Sequence, residues 1–259
     1  MKWIKSLLRR LRAWSVKKGY FCDICRAEVF EYPKKRICPE CENALARNEG
    51  RVCPVCGRQT VSGGVCLNCK AHAPRFNKAW SPFVYTGTVA LAVNLLKNGG
   101  LRLVYFFVDE MLNYAFQNGF RVGRYALNGE KLVIVPVPLT KAKRKERGYN
   151  QAEELAFVIE KRLKARGVWA QTDEEILTKT RDTNLQKELS MRERRENLKG
   201  AYHVHKRKAC KGATILLVDD IMTTGETGHE CARVLKNAGA KRVYFFTCAS
   251  LAEKKIENK

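Results

Sequence analysis

The sequence lacks any hydrophobic run long enough to cross a membrane, and it lacks the marks of a secretory signal. Charged side chains interrupt every apolar stretch well before the roughly 18 residues that a transmembrane helix requires. No small-residue cleavage site follows the apolar positions near the N-terminus. These two absences exclude a membrane-spanning or exported class of protein, and we expect the chain to be cytoplasmic.

Acidic residues are also scarce. The chain has 49 Lys and Arg against 26 Asp and Glu, which gives a formal net charge of +23. The summed field favours anionic partners such as nucleic acid, phosphorylated small molecules or an acidic membrane surface. High basicity that serves mainly solubility is the alternative.

The first twenty residues contain no acid and seven basic side chains. Apolar residues recur there at intervals of three and four, which predicts a basic amphipathic helix over residues 1–19. This helix either docks on the rest of the chain or contacts anionic lipid or DNA backbone through residues 1–18. The apolar positions are Trp3, Ile4, Leu7, Leu8, Leu11 and Trp14.

Cysteine is abundant, but its spacing argues against disulfides. Eight of the eleven cysteines form four Cys-x-x-Cys pairs, and two such pairs complete a tetrahedral, structural zinc site. Residues 20–74 are therefore predicted to form a double zinc ribbon with about two zinc ions. Consecutive use of the pairs is preferred, and interleaved use stays open. The pairs are Cys22/Cys25, Cys38/Cys41, Cys53/Cys56 and Cys66/Cys69.

The remainder, residues 75–259, alternates between strand and helix patterns. Strands are predicted at 79–85 and 132–135, with helices at 103–116 and after Gln151, which suits an α/β domain with a parallel sheet. The strand at 132–135 runs into Pro136-Val137-Pro138 and then into a basic run. Because open parallel sheets gather ligands at such strand ends, this run predicts an anion site. Its basic residues are Lys141, Lys143, Arg144, Lys145 and Arg147.

Residues 214–227 carry the most specific pattern. The apolar stretch Ile215 to Val218 is predicted to be a buried strand, and it ends in two adjacent carboxylates. A hydroxyl- and glycine-rich loop follows and opens a helix, whose N-terminus favours an anion. Carboxylates suit sugar hydroxyls or a metal ion, and the loop suits a phosphate, so the motif predicts a phosphorylated-sugar site. Its residues are Asp219, Asp220, Thr223, Thr224, Gly225, Glu226 and Thr227.

The string Val218 to Thr227 resembles the phosphoribosyl-pyrophosphate (PRPP) signature of the type I phosphoribosyltransferases. The resemblance implies that Asp219 and Asp220 are the catalytic acids that hold the ribose hydroxyls. It implies further that Thr223 to Thr227 hold the 5′-phosphate.

A wider resemblance extends this to the ComF family of competence-protein-F-type proteins. The order and spacing of the motifs are similar to that family over residues 20–250, with Tyr149 and Tyr202 at positions where the family commonly has Phe. The motifs are the four cysteine pairs, Tyr85, Leu95-Leu96-Lys97, Pro136-Val137-Pro138, Arg144, Arg147-Gly148-Tyr149-Asn150-Gln151, Gln186, Leu189, Arg194, Asn197 and the PRPP signature.

The ComF resemblance implies a fold and a role. The fold is a type I phosphoribosyltransferase-like parallel sheet flanked by helices and preceded by a double zinc ribbon. The role is the handling of incoming single-stranded DNA in natural transformation, with a DNA-uptake machinery protein such as a helicase as partner.

PRPP chemistry gives further expectations. Pyrophosphate leaves the sugar C1 through a transition state with oxocarbenium character, and Mg²⁺ bound with PRPP would neutralise the leaving group. Lys141, Arg144 and Arg147 are predicted on the pyrophosphate side, and family spacing adds Arg194 and Asn197.

The sequence shows no motif for an acceptor site. Its first residues, Met1-Lys2-Trp3, also lack the N-terminal cysteine nucleophile of a glutamine amidotransferase, so we do not expect a complete purine-pathway amidotransferase. Three functions remain open. They are a PRPP-binding protein with transferase-type chemistry and unknown acceptor, a non-catalytic DNA-binding adaptor that retains the PRPP pocket, and a nucleobase-salvage phosphoribosyltransferase.

Overall fold

A computed structural model describes residues 21–29, 36–121, 131–181, 193 and 197–253. The predicted N-terminal helix, Gln186, Leu189 and Arg194 lie outside these residues. Within the described part of the chain, none of the helices combines the length and apolar character needed to span a membrane.

A parallel sheet forms the centre of the fold. The described strands are β1 Lys78–Trp80, β2 Phe83–Val84, β3 Leu132–Pro136, β4 Ala170–Thr172, β5 Leu177–Lys179, β6 Tyr202–Val204, β7 Thr214–Met222 and β8 Arg242–Ser250. The sheet has the strand order β1-β8-β7-β3-β4, and β2 pairs with β8 beyond the end of β1. A separate antiparallel pair consists of β5 and β6.

Helices flank the sheet, as the sequence predicts for an α/β fold. The described helices are α1 Pro39–Asn43, α2 Leu67–Ala71, α3 Gly87–Lys97, α4 Leu103–Gln117, α5 Lys141–Arg147, α6 Gln151–Lys164, α7 Arg207–Cys210 and α8 Glu226–Asn237. In α4 the buried residues recur at intervals of three and four along one face, beginning with Leu103, Phe107 and Met111.

Two strand predictions need correction. The strand β7 does not end at the carboxylates but continues to Met222, because the equally long β8 pairs with it over its whole length, including Asp219 with Thr247. The single strand predicted over 79–85 is two short strands. Pro82 lies between them and cannot donate a backbone hydrogen bond to the sheet. The Ser81 and Thr247 hydroxyl groups form a side-chain hydrogen bond of 2.6 Å at this interruption.

The cysteine-rich segment packs onto both core layers of the sheet. Because side chains alternate along β7, Leu216 and Val218 face one layer, whereas Ile215 and Leu217 face the other. Buried cysteines of the first two pairs join the layer of Leu216. Buried cysteines of the last two pairs join the layer of Leu217.

The segment is also bonded to the edge of the sheet. Asn48 Nδ2 donates to the carbonyl oxygens of Gly57 (2.6 Å) and Ser81 (2.9 Å), and Ala79 N donates to Val55 O at 2.9 Å. Gly57 has a positive φ of 69°, and a Cβ at that position would lie 2.6 Å from Ala79 O. Glycine is therefore the residue that this close approach requires.

Candidate functional site

The two carboxylates lie near the carboxyl end of β7, in the middle of the parallel sheet. Asp220 is only 5% exposed, and two residues from distant parts of the chain contact its Oδ2 atom. Lys97 Nζ lies 3.3 Å from it, and Gln151 Nε2 donates to it at 2.9 Å. A buried carboxylate is stable only with such partners, so Asp220 is held in one position.

Asp219 has a different environment. Burial and the neighbouring Asp220 carboxylate raise the pKa of Asp219 well above its usual range, and the backbone N–H of Asp220 and the charge of Lys97 offset part of this effect. That N–H donates to Asp219 Oδ1 at 2.8 Å. Adjacent acids with dissimilar environments are typical of functional sites.

The 223–227 loop connects β7 to the first turn of α8. Gly225 adopts a φ of 91°, which L side chains rarely adopt, and α8 begins at Glu226 directly after it. The helix lies close to the sheet because Gly228 has no side chain, and a Cβ there would be 2.5 Å from the ring of Phe245. The loop therefore places hydroxyl groups and the positive end of a helix dipole just beyond the carboxylates.

The segment after β3 reaches the same edge of the sheet. Val137 N donates to Val218 O at 2.8 Å, and Asn150 Nδ2 donates to Val137 O at 3.0 Å. Arg147 Nη1 donates to Gln151 Oε1 at 3.3 Å, and Gln151 in turn donates to Asp220. A chain of polar contacts thus connects the predicted anion segment to the acid pair.

The cysteines form two clusters in which the ligand atoms lie within 4.8 Å of one another. The first cysteine cluster is Cys22, Cys25, Cys38 and Cys41, and the second cysteine cluster is Cys53, Cys56, Cys66 and Cys69. This confirms the preferred consecutive grouping of the pairs. The Sγ atoms of Cys25 and Cys38 lie 3.5 Å apart, and those of Cys56 and Cys66 lie 3.6 Å apart. Both distances are close to the roughly 3.8 Å expected between sulfurs around a tetrahedral zinc ion with Zn–S bonds of about 2.3 Å.

Backbone N–H groups also point at the sulfurs, as around bound thiolates. Cys22 Sγ accepts from Ile24 N (3.4 Å) and Cys38 N (3.3 Å), and Cys53 Sγ accepts from Cys66 N (3.4 Å). Burial raises the pKa of Cys22, but hydrogen bonds from the backbone N–H groups of Cys38, Cys25 and Ile24 and from the Cys25 side chain lower it to about 7. The residues therefore fit two closed, four-sulfur structural zinc sites.

The chain is similar in sequence to a known domain family and to several characterised proteins. The family model for the phosphoribosyl transferase domain matches residues 144–259. Competence protein ComFC of Bacillus subtilis (strain 168) is 28% identical over 224 residues, which cover 86% of this chain and 87% of that protein. DNA utilization protein YhgH of Escherichia coli O157:H7 is 29% identical over 208 residues, or 80% and 87% of the two chains.

A third relative, competence protein F of Haemophilus influenzae, is 26% identical over 231 residues, which cover 87% of this chain and 94% of that protein. Over most of its length the chain is thus similar to competence proteins and to a DNA utilization protein, and residues 144–259 match the phosphoribosyl transferase domain. Its fold is a phosphoribosyltransferase-type parallel sheet with flanking helices, preceded by two four-cysteine clusters.

In this chain the residues predicted on the pyrophosphate side differ in their surroundings. Both guanidinium Nη atoms of Arg144 bond to the carboxylate of Glu153, and this bonding raises the pKa of Arg144. Lys141 is exposed at the start of α5, whose N-terminus is capped by the side chain of Thr140. Asn197 is half-buried, and Arg194 lies outside the described residues.

Sequence reasoning missed the polar contacts of three residues at this site. Lys97 and Gln151 appeared only as family markers, yet both contact Asp220. Arg58 Nη2 donates to the carbonyl oxygens of Thr223 and Thr224 at 2.9 and 3.2 Å. For Lys97 and Gln151, the spacing of the family motifs was a signal that could have identified them. No sequence pattern indicated Arg58.

Tyr149 also has a polar role. Its hydroxyl donates to Leu96 O and accepts from Gly99 N at 2.9 Å, next to Lys97. A phenylalanine at this position would provide neither bond. The hydroxyl therefore fixes the end of α3, from which Lys97 reaches Asp220.

Proposed function

We propose that this chain is a member of the ComF family that binds PRPP together with Mg²⁺ and handles single-stranded DNA during natural transformation. The observation that carries the proposal is the position of Asp219 and Asp220 directly before the 223–227 loop and the N-terminus of α8. Carboxylates that accept from ribose hydroxyls and a loop that donates to a phosphate match the two ends of a ribose 5-phosphate.

In this proposal each element of the site has one task. Asp219 and Asp220 accept hydrogen bonds from the ribose 2′- and 3′-hydroxyls, and the 223–227 loop donates to the 5′-phosphate. Lys97, which lies 3.3 Å from Asp220, and Arg147, which contacts Gln151, provide positive charge beside the sugar. The proposed pyrophosphate side consists of Lys141, Arg144, Arg147, Arg194 and Asn197.

Mg²⁺ prefers oxygen ligands, and when bound it would neutralise the pyrophosphate leaving group. The carboxylates of Asp219 and Asp220 and the phosphate oxygens of PRPP are donors of this kind. The thiolate clusters suit zinc instead, so the two metals are proposed for different parts of the chain.

The relatives support the role in DNA handling, because two are competence proteins and one is a DNA utilization protein. The net charge of +23 supports contact with a polyanion. The proposal includes a cytoplasmic location, a DNA-uptake protein such as a helicase as partner, and domains at 1–19, 20–74 and 75–259.

Whether PRPP is consumed is a separate question, and the same basic charge favours a second candidate. In that candidate the chain is a DNA-binding adaptor that uses the PRPP pocket without catalysis. Release of pyrophosphate from PRPP in the presence of Mg²⁺ and a candidate acceptor distinguishes the two.

The decisive experiment is isothermal titration of PRPP into the protein with and without Mg²⁺. We expect Mg²⁺-dependent binding that weakens at least tenfold, or about 1.4 kcal/mol, in the double variant Asp219→Ala/Asp220→Ala. The reason is that both acceptors for the ribose hydroxyls are lost.

Asp109→Ala is the matched control, because this half-exposed acid is paired with Arg162 on α6, and its loss should leave the affinity unchanged. Equal affinity in the double variant and the natural protein would show that the sugar binds elsewhere.

A further inference from the structure

The second cysteine cluster is physically connected to the 223–227 loop by one buried side chain. Arg58 is 5% exposed, and its guanidinium donates from Nε to Cys56 Sγ at 3.4 Å. From Nη2 it donates to Thr223 O at 2.9 Å and to Thr224 O at 3.2 Å. One guanidinium thus contacts a proposed zinc ligand and two carbonyls of the loop.

The zinc-ribbon geometry does not require this arginine, as the first cysteine cluster shows. Cys22 N donates to Ala27 O at 2.6 Å, and Cys53 N donates to Arg58 O at 2.8 Å, so Ala27 and Arg58 occupy the same position of the two knuckles. The preceding residues, Arg26 and Gly57, have nearly the same φ of 67° and 69°. A knuckle can therefore be built with alanine where the second one has arginine.

The carbonyls that Arg58 contacts determine which way the loop amides point. In a planar trans peptide the C=O and the N–H lie on opposite sides. Fixing the oxygens of Thr223 and Thr224 toward Arg58 directs the N–H groups of Thr224 and Gly225 away from it. Such N–H groups in a loop before a helix are the donors that bind a phosphate.

The positive charge of Arg58 should also interact with the net charge of the metal-loaded second cysteine cluster. Four thiolates around one divalent zinc ion leave a net negative charge, and a buried guanidinium beside Cys56 compensates it. Among the described residues Arg58 forms no ion pair with a carboxylate. Its burial is therefore favoured when the cluster holds its ion.

A second set of hydrogen bonds also connects the segment around the second cysteine cluster to the sheet near the loop. Glu253, beyond the end of β8, accepts from Val61 N (3.1 Å) and from Leu67 N (2.7 Å), and Leu251 N donates to Met222 O at 3.0 Å. The segment that carries the second cysteine cluster is thus bonded to the residues after β8, and these are bonded to the last residue of β7, directly before the loop.

We propose that Arg58 is a positioning residue that couples the metal-loaded second cysteine cluster to anion binding by the 223–227 loop. The inference rests on the proposed function, because it takes the bound anion to be the 5′-phosphate of PRPP. Coupling of this kind is reciprocal, so PRPP with Mg²⁺ should also retard the release of zinc from the second cysteine cluster.

The test compares the full-length variants Arg58→Gln and Arg51→Gln. Arg51 is an exposed arginine of the same segment and serves as the matched control. We expect Arg58→Gln to keep the zinc content of the natural protein, to bind PRPP at least tenfold more weakly, and to lose the retardation of zinc release by PRPP. Arg51→Gln should behave as the natural protein does.

Hydrogen exchange without PRPP makes this test independent of the proposed function. A peptide covering residues 221–229 should exchange several-fold faster in Arg58→Gln and in Cys69→Ser, and at the normal rate in Cys25→Ser, which alters the first cysteine cluster. Unchanged exchange in Arg58→Gln overturns the inference. If the natural protein does not bind PRPP, the proposed function fails, and the exchange comparison still decides whether Arg58 positions the loop.

If Arg58→Gln does not fold, Arg58→Lys replaces it. Lysine keeps the charge but lacks the planar fork that reaches one sulfur and two carbonyls together. Faster exchange of residues 221–229 in folded, zinc-loaded Arg58→Lys supports the inference, and exchange at the natural rate overturns it.

Discussion

At the proposed site, the position of one acidic residue reduces the stability of the fold. The pKa of Asp219 is raised by burial and by the Asp220 carboxylate. An acid whose pKa is raised by folding binds its proton more tightly in the folded state. Its ionisation therefore destabilises the fold as pH rises from its unfolded value of about 3.9 through the folded pKa.

We predict that Asp219→Asn raises the melting temperature at pH 7 by about 3 °C and weakens PRPP binding. The amide carries no charge to bury, but it is a poorer acceptor for a sugar hydroxyl. Thermal unfolding measured at pH 7 and near pH 4 checks this, because the gain should vanish at the lower pH, where Asp219 is protonated in the folded state.

Asp109→Asn provides the comparison, since the Asp109 side chain is 44% exposed and paired with Arg162 at 2.8 Å. It should show no gain in melting temperature. A gain of equal size in both variants would attribute the effect to the overall charge of the protein instead of to the acid pair.

At the scale of elements, the cysteine-rich segment contributes to the core and not only to its own metal sites. Its buried cysteines lie in the same core layers as β7, and Gly57 contacts the edge strand β1. Loss of metal should therefore expose apolar surface that the sheet also uses.

We predict about two zinc ions per chain in reduced protein, and about one in Cys25→Ser, because each cluster forms a separate four-sulfur site. Elemental analysis measures this directly. Chelation should lower the melting temperature by at least about 5 °C, since metal that binds the folded state stabilises it. Carefully purified reduced protein without zinc would contradict the prediction.

The sequence predicted well those features that depend on residues close together along the chain. The cysteine pairs, the helix at 103–116 and the acid pair followed by its loop each depend on local spacing. The extension of β7 to Met222 could not be predicted in this way. It depends on pairing with β8, which comes twenty residues later in the chain.

The residues that contact the acid pair could not be predicted from local sequence patterns either. Lys97 and Gln151 approach Asp220 only because β3, β7 and β8 are adjacent in the sheet, and no local pattern encodes that order. Arg58 reaches the loop across an even longer sequence separation. Local spacing therefore identified the carboxylates, whereas the folded sheet determines what surrounds them.

Across the whole molecule, the charge is uneven and points to a role for the N-terminus. Residues 1–20 carry seven of the basic side chains and no acid, together with Trp3, Trp14 and Tyr20. Basic groups neutralise phosphates and release condensed counterions, and aromatic rings stack on unpaired bases. This segment is thus the most concentrated candidate for contact with single-stranded DNA.

We predict that the full chain binds single-stranded DNA without strong sequence preference, and that its affinity falls steeply as salt rises. Deleting residues 1–18 should reduce the slope of log K against log salt by up to about 5, if each of the seven basic side chains contacts one phosphate. Fluorescence anisotropy of a labelled oligonucleotide in a series of KCl concentrations measures both slopes.

A full-length variant with the seven basic residues changed to Gln is the matched control for charge, because it keeps Trp3, Trp14 and Tyr20. PRPP affinity should be unchanged in both variants, since Asp219, Asp220 and the 223–227 loop belong to other elements. An unchanged slope would move the DNA surface to residues 141–147 or to the cysteine clusters. If the natural chain does not bind DNA at low salt, the prediction of direct DNA contact is wrong. A role in competence would then require a partner protein that contacts the DNA.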